Sequence, residues 1–214
     1  LALGCRNEPR LTKKDWPPQV IADEIHRCGG LAVLAHPAWS LNTVEQLPLL
    51  QNIEATEIYN TVSDAGESSR PYSGDFVDGA ACKGFYYPLI ADDDTHLYNG
   101  EDEAVSWIML ACRPEATDGQ ILEAILKKDF YATQGPEIHL FREGDQVIVK
   151  CSPVSRISFF TNAVWGQGHC RKGRNLTEAV CKIAPFETFI RAEVTDIKGK
   201  KAWSNTLVLG NATG

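Results

Sequence analysis

The apolar positions of the 214-residue chain change their period about two-thirds of the way along. Before that point, short unbroken apolar runs alternate with helical spacings. Leu31-Ala-Val-Leu-Ala35 follows the pair Gly29-Gly30 and stops at His36-Pro37. An apolar run bounded by turn residues predicts a strand buried on both faces. Ala55 to Asn60, Phe85 to Ala91 and Val105 to Cys112 predict further strands, and Leu1 to Gly4 reads as a strand end whose earlier part is missing. Between them, Ile21, Ile25 and Cys28 fall at helical spacing. Asp15 is the expected cap, and Pro17 and Pro18 fit a first turn. Thr43 with Gln46 and Thr117 with Gln120 are capping-box pairs. The first opens a short helix that Pro48 limits, the second an amphipathic helix through Lys128. A loop rich in Ser, Gly and Asp spans Thr61 to Ser73, and a short helix is expected around Asp75 to Cys82.

This β-α-β-α rhythm predicts a parallel sheet or part of a barrel with helices outside. About four units are visible, fewer than a closed eight-unit barrel of roughly 250 residues needs. From Glu137 the pattern becomes one of short strands without helices. Ile138 to Phe141, Val147 to Cys151, Ile157 to Thr161, Val180 to Ile183, Phe189 to Thr195 and Ala202 to Leu209 all read as strands. In the fifth, Ile190, Ala192 and Val194 alternate with Arg191, Glu193 and Thr195, giving one apolar and one polar face. Glu143-Gly-Asp145 and Lys198-Gly-Lys200 are hairpin turns. The expected fold is α/β: a partial, distorted β/α barrel over residues 1–136, followed by a small antiparallel, sandwich-like all-β subdomain over 137–214.

Composition narrows the function classes. A net charge of −7 argues against broad nucleic-acid binding, which shows a basic face. No apolar run approaches the length of a membrane span. Seven cysteines, without a C-x-x-C pair, fit reduced thiols in a cytoplasmic protein. Asn175-Leu-Thr177 and Asn211-Ala-Thr213 are glycosylation sequons that matter only in a secreted eukaryotic protein.

The candidate chemistry sits where two apolar runs end. His36 follows the run Leu31 to Ala35, and Asp92-Asp-Asp-Thr-His96 follows Phe85 to Ala91. Strand C-termini are where α/β folds bind ligands. Asp94 and His96 are two apart, so in extended chain they point to one side and offer an oxygen and a nitrogen to one metal. Asp92 and Asp93 add negative charge. Glu57, on the intervening strand, is either an acceptor orienting a ligating imidazole or a core carboxylate with a structural hydrogen bond. Tyr59 and Asn60 could line the same mouth. His26, His139 and His169 read as surface or structural residues. Tyr131 to Pro136 joins the two parts. There is no Gly-x-Ser-x-Gly elbow, no phosphate loop and no dinucleotide fingerprint in strand-helix context.

His36-Pro37, Glu57-Ile-Tyr-Asn60, Asp94-Thr-His96 and Tyr131-Ala-Thr-Gln-Gly-Pro136 occur in an order that resembles the polymerase-and-histidinol-phosphatase (PHP) domain, in its CehA/McbA-type branch of metal-dependent phosphoesterases. The resemblance extends through Ala202-Trp-Ser-Asn205. It implies a distorted β/α barrel whose strand ends hold roughly two or three divalent ions, zinc, manganese or iron, which activate water against a small phosphorylated substrate. It further implies that His36, Asp94 and His96 are metal ligands. The family's opening His-x-His part is not present in this sequence. The resemblance therefore covers the C-terminal portion of such an enzyme. The alternative is a non-catalytic binding or interaction module built on an incomplete scaffold of that type.

Overall fold

A computed structural model describes residues 1–10 and 16–210. The expected cap Asp15 and the sequon at Asn211 lie outside them. Among the described residues, twelve strands and three α-helices occur in the order β1 (Ala2–Leu3), α1 (Pro18–Arg27), β2 (Leu31–Leu34), β3 (Ala55–Asn60), α2 (Gly74–Cys82), β4 (Leu89–Asp92), β5 (Trp107–Leu110), α3 (Asp118–Lys127), β6 (Phe130–Thr133), β7 (Ile138–Glu143), β8 (Gln146–Thr161), β9 (Cys170–Lys182), β10 (Phe189–Thr195), β11 (Lys201–Trp203) and β12 (Leu207–Val208). The fold is mixed α/β, with strands predominating. Among the described residues no helix is long and apolar enough to cross a membrane.

Two sheets carry the molecule. The first has the order β1-β2-β3-β4. β2, β3 and β4 run parallel, and β1 is antiparallel to β2. All six residues of β3 are buried, as expected for the middle of a parallel sheet covered on both faces. The second sheet, antiparallel throughout, has the order β5-β6-β11-β10-β8-β7, with β12 on β10 and β9 on β8. It takes strands from both sides of the 136/137 position. β5, expected in the β/α rhythm, and β6, in the stretch expected to join the two parts, belong to it.

Local chemistry explains most boundaries. In α1, Pro18 occupies the first helical position, where its missing N–H is no loss. The Thr43–Gln46 capping box is present, but it opens a 3₁₀ segment, Val44–Leu49, with Pro48 inside it. The Thr117–Gln120 box opens α3. The run Phe85 to Ala91 becomes a strand only after Pro88, which has no donor for a sheet ladder. Phe85 and Tyr87 instead pack with Leu47, Phe76 and Ala80. The two strands expected at Val147 to Cys151 and Ile157 to Thr161 are one strand, β8. Its register on β9 shifts between Lys150 and Val154 and again by Arg156. Pro153 lies in this irregular stretch, where a residue without an N–H is tolerated. The strand expected at Ala202 to Leu209 splits into β11 and β12.

The polar face of β10 is not solvated. Arg191 is fully buried and Glu193 is nearly so, because this face packs against the first sheet and α2. Arg191 makes a two-point ion pair with Asp78 of α2, at 2.6 and 2.7 Å, and its guanidinium lies 4.1 Å from the Phe160 ring centre. Glu193 accepts from Tyr72 Oη at 2.7 Å, Lys201 Nζ at 2.6 Å and Trp203 Nε1 at 3.0 Å. Trp203 stacks with Tyr59 at 5.3 Å and with Tyr72 at 6.2 Å, in a cluster with Ile58, Val77, Leu89 and Ala132. Asn205 completes the junction. Its Oδ1 accepts from Leu89 N of β4, and its Nδ2 donates to Phe130 O of β6. Opposite faces of β10 thus serve two purposes. Ile190, Ala192 and Val194 fill the core of the curled second sheet, while Arg191 and Glu193 bind it to the first.

Candidate metal centre

Parallel pairing brings the C-terminal ends of β2, β3 and β4 to one edge. Glu57 and Asn60 of β3 are fully buried there. Glu57 Oε2 accepts from the backbone N–H of His36 at 2.7 Å and from Asn60 Nδ2 at 2.9 Å. Asn60 Nδ2 also donates to Asp94 Oδ2 at 3.2 Å, and Asn60 Oδ1 accepts from Ser63 N and Oγ. His36 and Asp94 are therefore linked through two buried side chains of the central strand. Glu57 reaches the backbone of His36 rather than its imidazole. That ring is held from the other side, by Ser40 Oγ at Nδ1 (2.8 Å) and by the edge-on Trp39.

Both His36 and Asp94 have left-handed backbones, with φ of 31° and 48°. Non-glycine residues pay for that conformation, and such cost concentrates at functional sites.

His96 is placed differently. Its side chain is 65% exposed, its Nδ1 lies 3.7 Å from Asp94 Oδ1, and the ring turns back onto the Asp94 carbonyl. Asp102 clamps the loop behind it by accepting from His96 N and Leu97 N. Asp93 is a structural anchor, accepting from Thr61 Oγ1, Val105 N and Ser106 N. Tyr59 faces the junction between the sheets, where it stacks on Trp203. The three remaining histidines make local contacts. His26 pairs with Glu54, His169 with Glu187, and His139 meets the Tyr131 ring edge-on.

The residue that sequence reading ranked too low is Asp92. Neither of its carboxylate oxygens has a hydrogen-bond partner, nor does Glu57 Oε1, and all three atoms are buried. Burial pushes the Asp92 carboxyl up to about 8; the charge of Glu57, a hydrogen bond that the two carboxyls can make when one is protonated, and then the charge of Asp94 add to the effect. Burial also raises Glu57, opposed by the donors Asn60 and His36 N–H. Two carboxyl groups that cannot both ionise in a dry site share a proton or take up a cation. The hint in the sequence was position: Asp92 ends β4 directly after the buried Leu89, Ile90 and Ala91.

The chain matches no protein-family model, no curated protein and no solved structure. What the site can do therefore rests on its own chemistry. Hard carboxylate oxygens next to imidazoles suit manganese, iron or zinc, and a divalent ion would give the orphaned oxygens of Asp92 and Glu57 the partner they lack. The donor set fits such an ion in composition. It is not gathered: among the described residues no three His, Cys, Asp or Glu side chains are grouped to hold a metal.

Proposed function

We propose that this chain is the C-terminal portion of a metal-dependent phosphoesterase of the PHP type. The sheet β1–β4 with its helices would be the barrel part, and the antiparallel sheet, which takes in β5 and β6, the all-β part. The observation that carries the reading is the set of three buried, unpartnered carboxylate oxygens on Glu57 and Asp92, at the sheet edge that also bears His36 and Asp94. The candidate ligands are Glu57, Asp92, Asp94 and His36, with His96 at the rim; since no three of them are grouped to hold a metal, binding would require them to close on the ion. A bound divalent ion supplies an activated water and neutralises phosphate charge. The chain's own residues do the positioning. Glu57 fixes the His36 backbone. Asn60 aligns Asp94. Ser40 holds His36 Nδ1 and leaves Nε2 as the nitrogen open to a ligand.

Turnover of a chromogenic phosphate mono- or diester by the intact protein, with added manganese, tests the reading. Asp94→Asn is expected to lower metal affinity while keeping the melting temperature of the metal-free protein, because Asp94 sits in a loop. Wild-type turnover equal to that of His36→Ala would reject the assignment.

The outward turn of His96 favours a second reading, a binding module on a scaffold of this type. Elemental analysis separates the two. After growth with zinc or manganese, less than about a tenth of an ion per chain selects the module, since a formed site retains its metal.

A further inference from the structure

β9 stands apart from the rest of the second sheet. It is 13 residues long, it pairs with β8 alone, and its other edge makes no backbone hydrogen bond among the described residues. On either side of the irregularity between Lys172 and Leu176, where Asn175 is left-handed, this unpaired edge is a row of free donors and acceptors, ready to accept another strand. The strand's composition also runs against that of the chain. Cys170–Lys182 carries Arg171, Lys172, Arg174 and Lys182 against the single acid Glu178, in a protein of net charge −7. Lys182 lies 3.7 Å from Asp145. Arg171, Lys172 and Arg174 are exposed and form no ion pair among the described residues.

Charges on an edge strand can be simple guards against aggregation. Guards do not account for what is displayed beside them. Trp165 is 92% exposed, and Val164 and Phe186 also face solvent. Trp165, His169, Val180, Lys182 and Phe186 line a groove of about 450 Å³. The curl of the sheet forms it by bringing the two ends of β9 together, so that a side chain placed on Gly168 would meet Val180 O.

The groove is held rigidly. A Cβ on Gly166 would lie 2.3 Å from the His169 ring, so the Trp165 turn rests directly on that imidazole. His169 Nε2 meets Glu187 Oε1 at 2.9 Å, and the same carboxylate accepts from Thr161 Oγ1 and Ala184 N. Asn162 ties the two walls: its Nδ2 donates to Phe186 O, and its Oδ1 accepts from Thr188 N. Exposed aromatic anchors on a pre-ordered frame lose little freedom when a ligand arrives.

We propose that β9 is a docking edge for an extended acidic peptide, which adds to the sheet as a further strand. The peptide's carboxylates lie on the face of the sheet that bears Lys172, and one apolar side chain seats between Trp165 and Phe186. Strand addition draws affinity from the backbone and specificity from alternate side chains. The free edge meets the first requirement, the groove and the cations the second. A nucleic acid would satisfy the cations but would leave the backbone edge unused.

Fluorescence anisotropy with a labelled peptide of about ten residues, alternating Glu with Val or Phe to match the period of a strand, tests this. Three comparisons accompany it: the same peptide N-methylated at alternate amides, a single-stranded oligonucleotide, and the variants Trp165→Ala and Lys172→Glu, with melting curves confirming that both fold. The expected result is saturable binding of the acidic peptide, weakened about tenfold or more by N-methylation and by either substitution. Any of four outcomes overturns the proposal: no saturation up to about 1 mM peptide at low salt, equal binding of the N-methylated peptide, indifference to Trp165→Ala, or binding of the oligonucleotide in place of the peptide.

Discussion

Two buried polar regions, one at the β10 face and one at the end of β4, handle charge in opposite ways. Around β10 the charges are matched. Arg191 is forked onto Asp78, and Glu193 collects a phenol, an ammonium and an indole. At the end of β4, Asp92 and Glu57 approach one another with three oxygens unpartnered. Burying a charge is tolerable when its partner is buried with it and costly when it is not. In the first region each charge has an opposite charge beside it, and only Arg191 Nη1 lacks a hydrogen-bond partner. In the second, three carboxylate oxygens have no hydrogen-bond donor, and the cation that acts on them is the buried Leu1 ammonium, which donates to Val33 O.

Breaking the matched region should have the largest effect. Arg191→Met leaves the Asp78 carboxylate without its cation, and chemical denaturation should show a loss of about 3–5 kcal/mol. The double variant Arg191→Met with Asp78→Leu should recover most of that loss, because the charge goes with its partner.

The unmatched region should answer to pH. The native Asp92 carboxyl, pushed up to about 8, lies above its unfolded value of 3.8. Between those values the folded state holds the proton and the unfolded state does not, so stability falls as pH rises. The contribution is complete below about pH 4 and gone above about pH 8. Melting in EDTA should therefore weaken from pH 5 to 8, by about 4 kcal/mol at most. Asp92→Asn should flatten that slope, raising the melting temperature at pH 8 more than at pH 5. An unchanged slope would show that the two carboxylates are not in competition.

A divalent ion should act in the same direction by supplying the missing charge. Manganese at a hundredfold excess over its dissociation constant should stabilise the wild type by about 2.7 kcal/mol and leave Asp92→Asn nearly unmoved. The smallest effect belongs to Lys201→Met. The ammonium is partly exposed and Glu193 keeps two other donors, so a loss of about 0.5–1 kcal/mol is expected by denaturant titration.

How far the sequence could be read depended on how buried each segment is. The strands at Leu31 and Leu89 announced themselves as apolar runs covered on both faces, whereas β3 carries Thr56, Glu57 and Asn60 among its buried residues. Both capping boxes formed. β9 was recognised only at its C-terminal end, because the residues from Arg171 to Asn175 are exposed on an edge and carry no alternation. β10 showed its period plainly, yet its polar residues pointed to water on paper and to Asp78, Tyr72 and Trp203 in space. These partners lie 113, 121 and 10 residues away, and no local pattern reports them. At the site, the strand ends were legible and the link from His36 to Asp94 was not, since it runs through Glu57 and Asn60 on a third segment. Asp92 was passed over because it stood in a run of three aspartates, and only packing distinguishes the buried member from its neighbours.

Asn205 has a consequence for the order in which the protein can be made. The amide on β4 and the carbonyl on β6 that it satisfies are synthesised 116 and 75 residues earlier. On the ribosome, those groups must wait in water or with a chaperone until almost the whole described chain has emerged. The junction between the two sheets thus closes only after the segment bearing Asn205 has been made, which places it among the late, long-range contacts of folding.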